Sequence, residues 1–517
     1  MLREITLEEK LSQRLLIGEM LARQARKHPD KQCIVFEEKR QTYLETNKRV
    51  NRLAHALLNR GVGRSDRVAL LMQNCSEYLE CYFALCKIGA VAVPINFRYV
   101  ENEIAFQVNN SGSKAMIMGQ EYIDTIMNAQ QEMPGLKILI GIGEKKAKVE
   151  AYEKILDESR EDEPLIDVEE GDAAFIMYTA GTTGRSKGAV LTQRGQMLNA
   201  SVYAMESGLR KDEIYLCIPP LFHEAALCLS LAVIYPGGSV VIMKQFDPEE
   251  VLRLITKEKA TFVYMVPAMA IRFLQVPGLA ESDTSSLRRW GTGAAIMPLE
   301  LKENVRRFFP GVGFVEYFGQ TEMSPGVTIL QPEDAYTHLG SVGQVQTNVE
   351  VRIVDDNDND VPPGEVGEGI YRGPTVLKEY WDNPEATAEA MRNGWFHSGD
   401  LIRMDEEGFV YVVGRKKDMI ISGGENIYPA EIEEVLYASP KILEAAVIGV
   451  PDPKWGESVK TFIVLKPGEE MSHQEVIELC KANLASYKKP KFVEFVDRLP
   501  RNAAGKVLKT VLRERKH

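Results

Sequence analysis

The sequence predicts an α/β fold: a large N-terminal domain of two α/β sheet subdomains plus a β-rich subdomain, then a small α+β C-terminal domain. Three observations lead there. Over the first 150 residues, helical apolar spacing alternates with short aliphatic and β-branched runs, the pattern of helices covering largely parallel sheets. Near residue 350 short strands and polar turns replace that alternation, which marks β-rich structure. With 517 residues the chain also exceeds what one hydrophobic core holds, so it divides into domains.

In chain order, residues 42–60 place Val50, Leu53, Ala54, Leu57 and Leu58 at helical spacing, and 67–72 reads as a buried strand. An apolar helix over 77–88 leads to a strand at 90–94. A helix–strand pair then fills 101–118, and 137–142 closes the series. After Asp172, strands are expected at 175–178, 239–243 and 261–266. A strand at 350–354, the polar turn 355–360 and Pro362-Pro363-Gly364 open the β-rich part. The tail carries a helix at 429–437, strands at 445–450 and 460–465, and a helix at 473–484. The boundary falls between Gly414 and Lys417, giving domains at 1–414 and 415–517.

The composition, 44% hydrophobic and 26% charged, is that of an ordinary globular protein. A net charge of −12 argues against a general nucleic-acid binder, which needs a basic face, but leaves room for a local phosphate site. Residues 1–17 mix charged and apolar side chains without a signal-peptide core, and no apolar run is long enough to span a bilayer. A cytoplasmic protein is expected, with peripheral membrane contact and a homodimer left open. The seven cysteines are scattered without a CxxC, and the seven histidines form no metal-ligand pair. Reduced core cysteines and no structural zinc are therefore expected.

The chemistry begins at Tyr178–Gly188, which reads Tyr-Thr-Ala-Gly-Thr-Thr-Gly-Arg-Ser-Lys-Gly after a strand. Its glycines allow close backbone approach to an anion, Thr179, Thr182 and Thr183 add donors, and Lys187 adds a charge. A Walker loop fails because Lys187 is followed by Gly188. Gly184-Arg-Ser186-Lys-Gly188 matches the GxSxG elbow of serine hydrolases, but that turn joins a strand directly to a helix. Here a Gly-Thr turn precedes Ser186 and the extended-looking 189–191 follows. Polyphosphate binding suits the residues best.

This loop resembles the signature of the adenylate-forming superfamily, which includes acyl-CoA synthetases, luciferase-like enzymes and nonribosomal-peptide adenylation domains. It departs from the usual pattern at Ala180 and Ser186. Further family elements follow in order. Glu316-Tyr317-Phe-Gly319-Gln-Thr321-Glu322 resembles the element in which the tyrosine stacks on adenine, the threonine meets the α-phosphate and the glutamate helps hold Mg²⁺. Gly291-Thr-Gly293-Ala294-Ala295 resembles the glycine-rich strand end beside adenine and the acyl pocket. Asp400 and Arg415 match the ribose contacts, Lys417 the hinge, and Gly423-Gly424 the glycine loop after it. Gly505-Lys506 resembles the C-terminal turn with the catalytic lysine.

The resemblance implies an acid–thiol ligase using ATP, Mg²⁺ and coenzyme A, closest in type to fatty-acid or medium-chain ligases. The nucleotide would be held by Thr179, Gly181, Thr182, Thr183, Gly184, Lys187, Gly293, Ala294, Ala295, Glu316, Tyr317, Gly319, Thr321, Asp400, Arg415, Lys417, Gly423 and Gly424, with Mg²⁺ on Glu322 and Thr182. Lys506, Glu322 and His223 would be catalytic. The C-terminal domain would be mobile, swinging about Lys417 between adenylation and thioester formation. His223 stands where amino-acid-activating relatives carry an Asp after a Phe, which disfavours α-amino acids. It could steer the carboxylate or simply pack at a helix start. Val266, Gly293, Ala294 and Ala295 would wall the acyl pocket. Aliphatic fatty acids are the first expectation, with aryl, cyclic and carnitine-like acids, a carrier-protein acceptor and a non-catalytic nucleotide-binding regulator as alternatives.

Overall fold

The computed structural model describes residues 5–143, 148–179, 186–295, 297–423, 425–501 and 507–515. Among these, the predicted alternation resolves into three sheets. The first has eight strands, ordered Glu379–Tyr380, Lys187–Thr192, Ala173–Thr179, Val91–Pro94, Arg67–Leu71, Ala115–Gly119, Ile138–Ile142 and Glu150–Ala151. From Ala173–Thr179 onward its strands are parallel. Val91–Pro94 and Ala115–Gly119 are buried throughout, as continuous apolar strands covered on both faces must be.

The second sheet has fourteen strands. One half is parallel and runs from Gln32–Phe36 through Ser239–Ile242, Ile214–Cys217, Phe262–Tyr264 and Arg289–Gly293 to Gly313–Gly319. At Gly313–Gly319 the pairing turns antiparallel, through Gly326–Leu330 and Ser341–Val345 to Phe409–Arg415, Trp395–Met404, Gly367–Arg372 and Glu350–Val354. The β-rich part expected near residue 350 is thus hydrogen-bonded onto the second α/β sheet rather than set apart from it.

Helices fill the space between the two sheets. Tyr43–Asn59 starts with a capping box, in which Thr42 and Glu45 satisfy each other's backbone N–H. Ser76–Lys87 is buried along its whole length. One buried cluster runs from Val68, Leu70 and Phe175 through Tyr82, Met197 and Leu227 to Val240, Phe262 and Val315, so both sheets share a core. Gln193–Glu206 brings amides into it: Gln193 and Gln196 are fully buried, and Gln196 Nε2 donates to Glu224 Oε1 at 2.7 Å. A buried amide must find a partner, and this one fixes Gln193–Glu206 against Glu224–Ile234.

Past Arg415 the chain leaves the second sheet, and from Ile420 it builds a five-stranded sheet of its own. Its buried clusters, around Ile420, Ile432 and Val447 and around Ile448, Phe462 and Leu512, contain no residue from earlier in the chain among the described residues. A separate core is what lets a unit move as a body. Lys466 Nζ reaches back to Glu300 Oε1 across the gap at 3.4 Å. An exposed pair of this kind contributes little.

Candidate active site

Two paired strands flank the loop expected to bind phosphate. Ala173–Thr179 and Lys187–Thr192 pair antiparallel, with Thr179 opposite Lys187. Of its predicted site residues, Gly181, Thr182, Thr183 and Gly184 lie outside the described residues, as do Gly424 and Lys506. Thr179 and Lys187 frame the loop on either side. Thr179 Oγ1 donates to Glu322 Oε1 at 3.3 Å, although these residues are 143 positions apart. Tyr380 Oη donates to the same oxygen at 2.9 Å, and Lys187 Nζ sits 5.3 Å from the centroid of the Tyr380 ring. A lysine, a hydroxyl and a carboxylate from three distant segments therefore meet at one place. Both hydrogen bonds fall on Oε1, and Oε2 receives neither. A carboxylate held by one oxygen, next to a lysine and a hydroxyl, fits a hard cation that bridges phosphates.

Glu322 owes its place to a close backbone approach. It lies in the turn Thr321–Met323, just beyond Gly319. A Cβ on Gly319 would come within 1.8 Å of the Pro325 carbonyl oxygen, while Gln320 N donates to that same oxygen at 2.9 Å. Only glycine lets the strand fold back this tightly.

Tyr317 faces Gly293 across neighbouring parallel strands. It is buried against Tyr203 and Tyr264, with centroids 5.0 and 6.2 Å away, and its hydroxyl shares a 3.0 Å hydrogen bond with Ser207. Burial pushes that phenol up to about 12. The room at Gly293 is narrow, since a Cβ there would meet Tyr317 O at 2.5 Å and Tyr264 Oη at 2.7 Å. The smallness of Gly293 thus serves protein packing as well as any ligand. Ala294, by contrast, is exposed with φ at +64°, and Ala295 is also exposed, so this end of the strand opens outward. Glu316, on the other face of its strand, forms a buried ion pair with Lys302. Its carboxylate is committed there and not turned to the Tyr317 side.

Asp400 and Arg415 also face each other across adjacent strands, with Arg415 Nε 2.5 Å from Asp400 Oδ1. Their neighbour Glu368 accepts from Gly399 N at 3.1 Å and from Lys416 Nζ at 3.1 Å. Lys417 occupies the single turn Lys416–Asp418 between the second and third sheets. Gly423 has φ at +62°, donates its N–H to Trp455 O at 2.7 Å, and would press a Cβ to 2.8 Å from the Trp455 ring.

His223 caps Glu224–Ile234, its Nδ1 accepting from Ala225 N at 3.4 Å. Burial lowers its pKa to about 4, so the imidazole is neutral at pH 7 and offers a hydrogen bond rather than a charge. Next to it, burial raises the Glu224 carboxyl to about 8, against the pull of the Gln196 hydrogen bond. Phe222 packs edge-on against Phe97 at 5.6 Å, and Val266 is buried at the start of Pro267–Phe273. Tyr380, Lys302, Glu368 and Glu224 were not anticipated from sequence. Tyr380 had a faint signal, an aromatic pair just before the Asn383-Pro384 helix start.

Among the described residues, no helix is long and apolar enough to cross a membrane. Two family models match the chain: AMP-binding enzyme over residues 21–381 and AMP-binding enzyme C-terminal domain over 431–506. The chain is 40% identical to a feruloyl-CoA synthase from an Amycolatopsis species over 500 residues, covering 96% of this chain and 99% of the relative. It is also 40% identical to the long-chain-fatty-acid–CoA ligase FadD13 of Mycobacterium tuberculosis over 502 residues, covering 96% and 98%. The crystal structure of the anthranilate CoA ligase AuaEII with anthranoyl-AMP superposes with a TM-score of 0.90 at 26% identity, covering 96% of each chain. The family and fold expected from the motifs therefore hold, and the chain belongs to the AMP-binding enzymes as an ATP-dependent acyl- or aryl-CoA ligase that uses Mg²⁺ and coenzyme A.

Proposed function

We propose that this enzyme activates a fatty acid at the site framed by Thr179, Lys187 and Glu322, and passes the acyl group to coenzyme A after a swing about Lys417. The meeting of Thr179 and Lys187, paired across adjacent strands, with Glu322, 143 positions from Thr179 in the chain, carries the reading. The reaction belongs in the cytoplasm, where ATP and coenzyme A are supplied.

In the first half-reaction, a carboxylate oxygen of the acid bonds to the α-phosphorus of ATP, and the bond to the bridging oxygen of pyrophosphate breaks. Charge accumulates on the leaving group. Lys187 neutralises it at the β- and γ-phosphates, Thr182 and Thr183 donate hydrogen bonds there while Thr179 holds Glu322, and fixed donors and cations of this kind supply most of such a rate gain. Glu322 and Thr182 would hold Mg²⁺, which would supply electrostatic stabilisation of the phosphate charge. Tyr317 and the 293–295 strand end, with Gly319 and Thr321, flank adenine and the α-phosphate, and Asp400 with Arg415 takes the ribose. Lys506 orients the carboxylate against the α-phosphate. In the second half-reaction the coenzyme A thiolate attacks the acyl carbonyl and AMP leaves. Lys506 has no part there, and the turn at Gly423 and Gly424 replaces it. Domains divided at 414 and 415 serve this exchange, each presenting one set of residues in turn.

An uncharged acyl group suits neutral His223 and the apolar Phe97, Phe222 and Val266. The aromatic ring of Tyr264 beside Gly293 favours an aryl acid as a second reading. ATP–pyrophosphate exchange with saturated acids of increasing chain length, ferulate and indoleacetate decides between them. Exchange strongest with aliphatic acids supports the first reading, exchange confined to aryl acids replaces it with the second, and exchange with none removes both.

A further inference from the structure

We infer that Tyr380 is a positioning residue for the metal and phosphate site, holding Glu322 through its hydroxyl and Lys187 through its ring. This rests on the reading of Glu322 as the Mg²⁺ carboxylate and Lys187 as the pyrophosphate lysine. Tyr380 lies outside the segments Tyr178–Gly188 and Glu316–Glu322 that carry Lys187 and Glu322. Its placement carries the inference.

Tyr380 sits on a short strap, residues 377–381, that is tied on both sides of the site. Leu377 N donates to the Glu322 carbonyl at 2.7 Å, so the strap grips the backbone of the residue whose side chain Tyr380 also grips. Lys378 N donates to Val190 O at 2.8 Å and Trp381 N to Gly188 O at 2.7 Å, which adds the strap to the strand carrying Lys187. In that register Tyr380 lies opposite Ala189, two residues from Lys187 and on the same side. Tyr380 N donates to Thr387 Oγ1 at 2.9 Å, and Trp381 Nε1 to Asn110 O at 3.0 Å. The ring is buried and has little freedom to turn away.

A structural role alone would need only the ring. The hydroxyl adds a directed contact: it and Thr179 both donate to Oε1, and the Tyr380 bond, at 2.9 Å against 3.3 Å, is the shorter. Mg²⁺ demands near-ideal octahedral geometry, so a carboxylate pinned through one oxygen presents the other in a fixed direction. The Tyr380 face also lies within cation–π range of the ammonium of Lys187. One side chain thus sets the spacing between the anion that takes the metal and the cation that takes the phosphates.

The test compares Tyr380→Phe, Tyr380→Leu and Glu322→Gln in the full chain, with ATP affinity measured by calorimetry in EDTA and in rising Mg²⁺, no acid present. Tyr380→Phe keeps the ring, so its affinity in EDTA should match wild type while the gain on adding Mg²⁺ shrinks about tenfold, the loss expected for one hydrogen bond to a charged group. Tyr380→Leu should also weaken binding in EDTA, because Lys187 loses its platform. In turnover, KM for Mg·ATP should rise in Tyr380→Phe with KM for the acid unchanged. A Tyr380→Phe enzyme with the wild-type gain from Mg²⁺, beside a Glu322→Gln enzyme that has lost it, overturns the role of Tyr380 alone. If Glu322→Gln also keeps the full gain, the reading of Glu322 falls and the inference falls with it. Equal weakening of Tyr380→Phe in EDTA and in Mg²⁺ reduces Tyr380 to packing and overturns the inference as well.

Discussion

Replacing Gly319 by alanine should damage catalysis more than its single added methyl suggests. The new Cβ would lie 1.8 Å from Pro325 O, 2.9 Å from Pro325 C and 3.1 Å from Val327 N. All three are backbone atoms, so no side chain can swing aside. Ordinary carbon contacts begin near 3.4 Å, so the strand end or the returning backbone must withdraw by more than about 1 Å. Overpacking of this sort costs about 1–3 kcal/mol in stability. The functional loss should be larger, because the displaced turn carries Thr321 and Glu322, and a misplacement of about 1 Å can cost a hundredfold in rate. Thermal unfolding gives the first quantity. ATP–pyrophosphate exchange, with KM for ATP and for the acid determined separately, gives the second. A Gly319→Ala enzyme that stays folded and keeps the wild-type kcat and KM for ATP would refute the claim that this approach positions Glu322.

The half-reactions should separate under mutation. Lys506→Ala should abolish pyrophosphate exchange yet still convert supplied acyl-AMP to the thioester, whereas Lys417→Pro should keep exchange and lose thioester formation; equal losses in both halves would refute the division of labour. The Glu224 carboxyl makes stability depend on pH in a direction opposite to the usual carboxylate. Its folded pKa, about 8, lies above the ordinary glutamate value of 4.5, so the folded state binds the extra proton between them, and its contribution is full below 4.5 and lost as pH rises to 8. Glu224→Gln should flatten that part of the profile and gain relative stability near pH 8, as followed by denaturant unfolding. An unchanged slope would show that Glu224 does not titrate in this way.

Much of the fold was legible because its elements announce themselves locally. The helix Pro429–Tyr437 appears where its apolar spacing puts it, and the strand predicted at 239–243 is seen at Ser239–Ile242. The hairpin of Gln32–Phe36 and Lys39–Thr42 was missed: it completes the edge of a sheet whose other strands come more than 170 residues later, and no local pattern records such a partner. The same limit governs the site. Thr179, Lys187 and Glu322 could be named from motifs, but Tyr380 could not, because its partners lie 58 and 193 positions away in the chain. Glu316 shows the converse. It stands inside a recognisable motif, yet alternation along the strand sends its carboxylate to Lys302.

By itself, then, the sequence determined the α/β class and a loop suited to polyphosphate, since periodicity and glycine placement are properties of neighbours along the chain, while the type of reaction came from the resemblance of its motifs to a known family. Only the tertiary structure decided which oxygen of Glu322 is held, that His223 is neutral and Glu224 protonated at pH 7, and that Gly293 gives up its space to Tyr264 and Tyr317. Those outcomes depend on burial and on contacts between residues far apart in sequence. Burial sets the cost of a charge and close packing sets the room for a side chain, and both arise only once the sheets have closed around their shared helices.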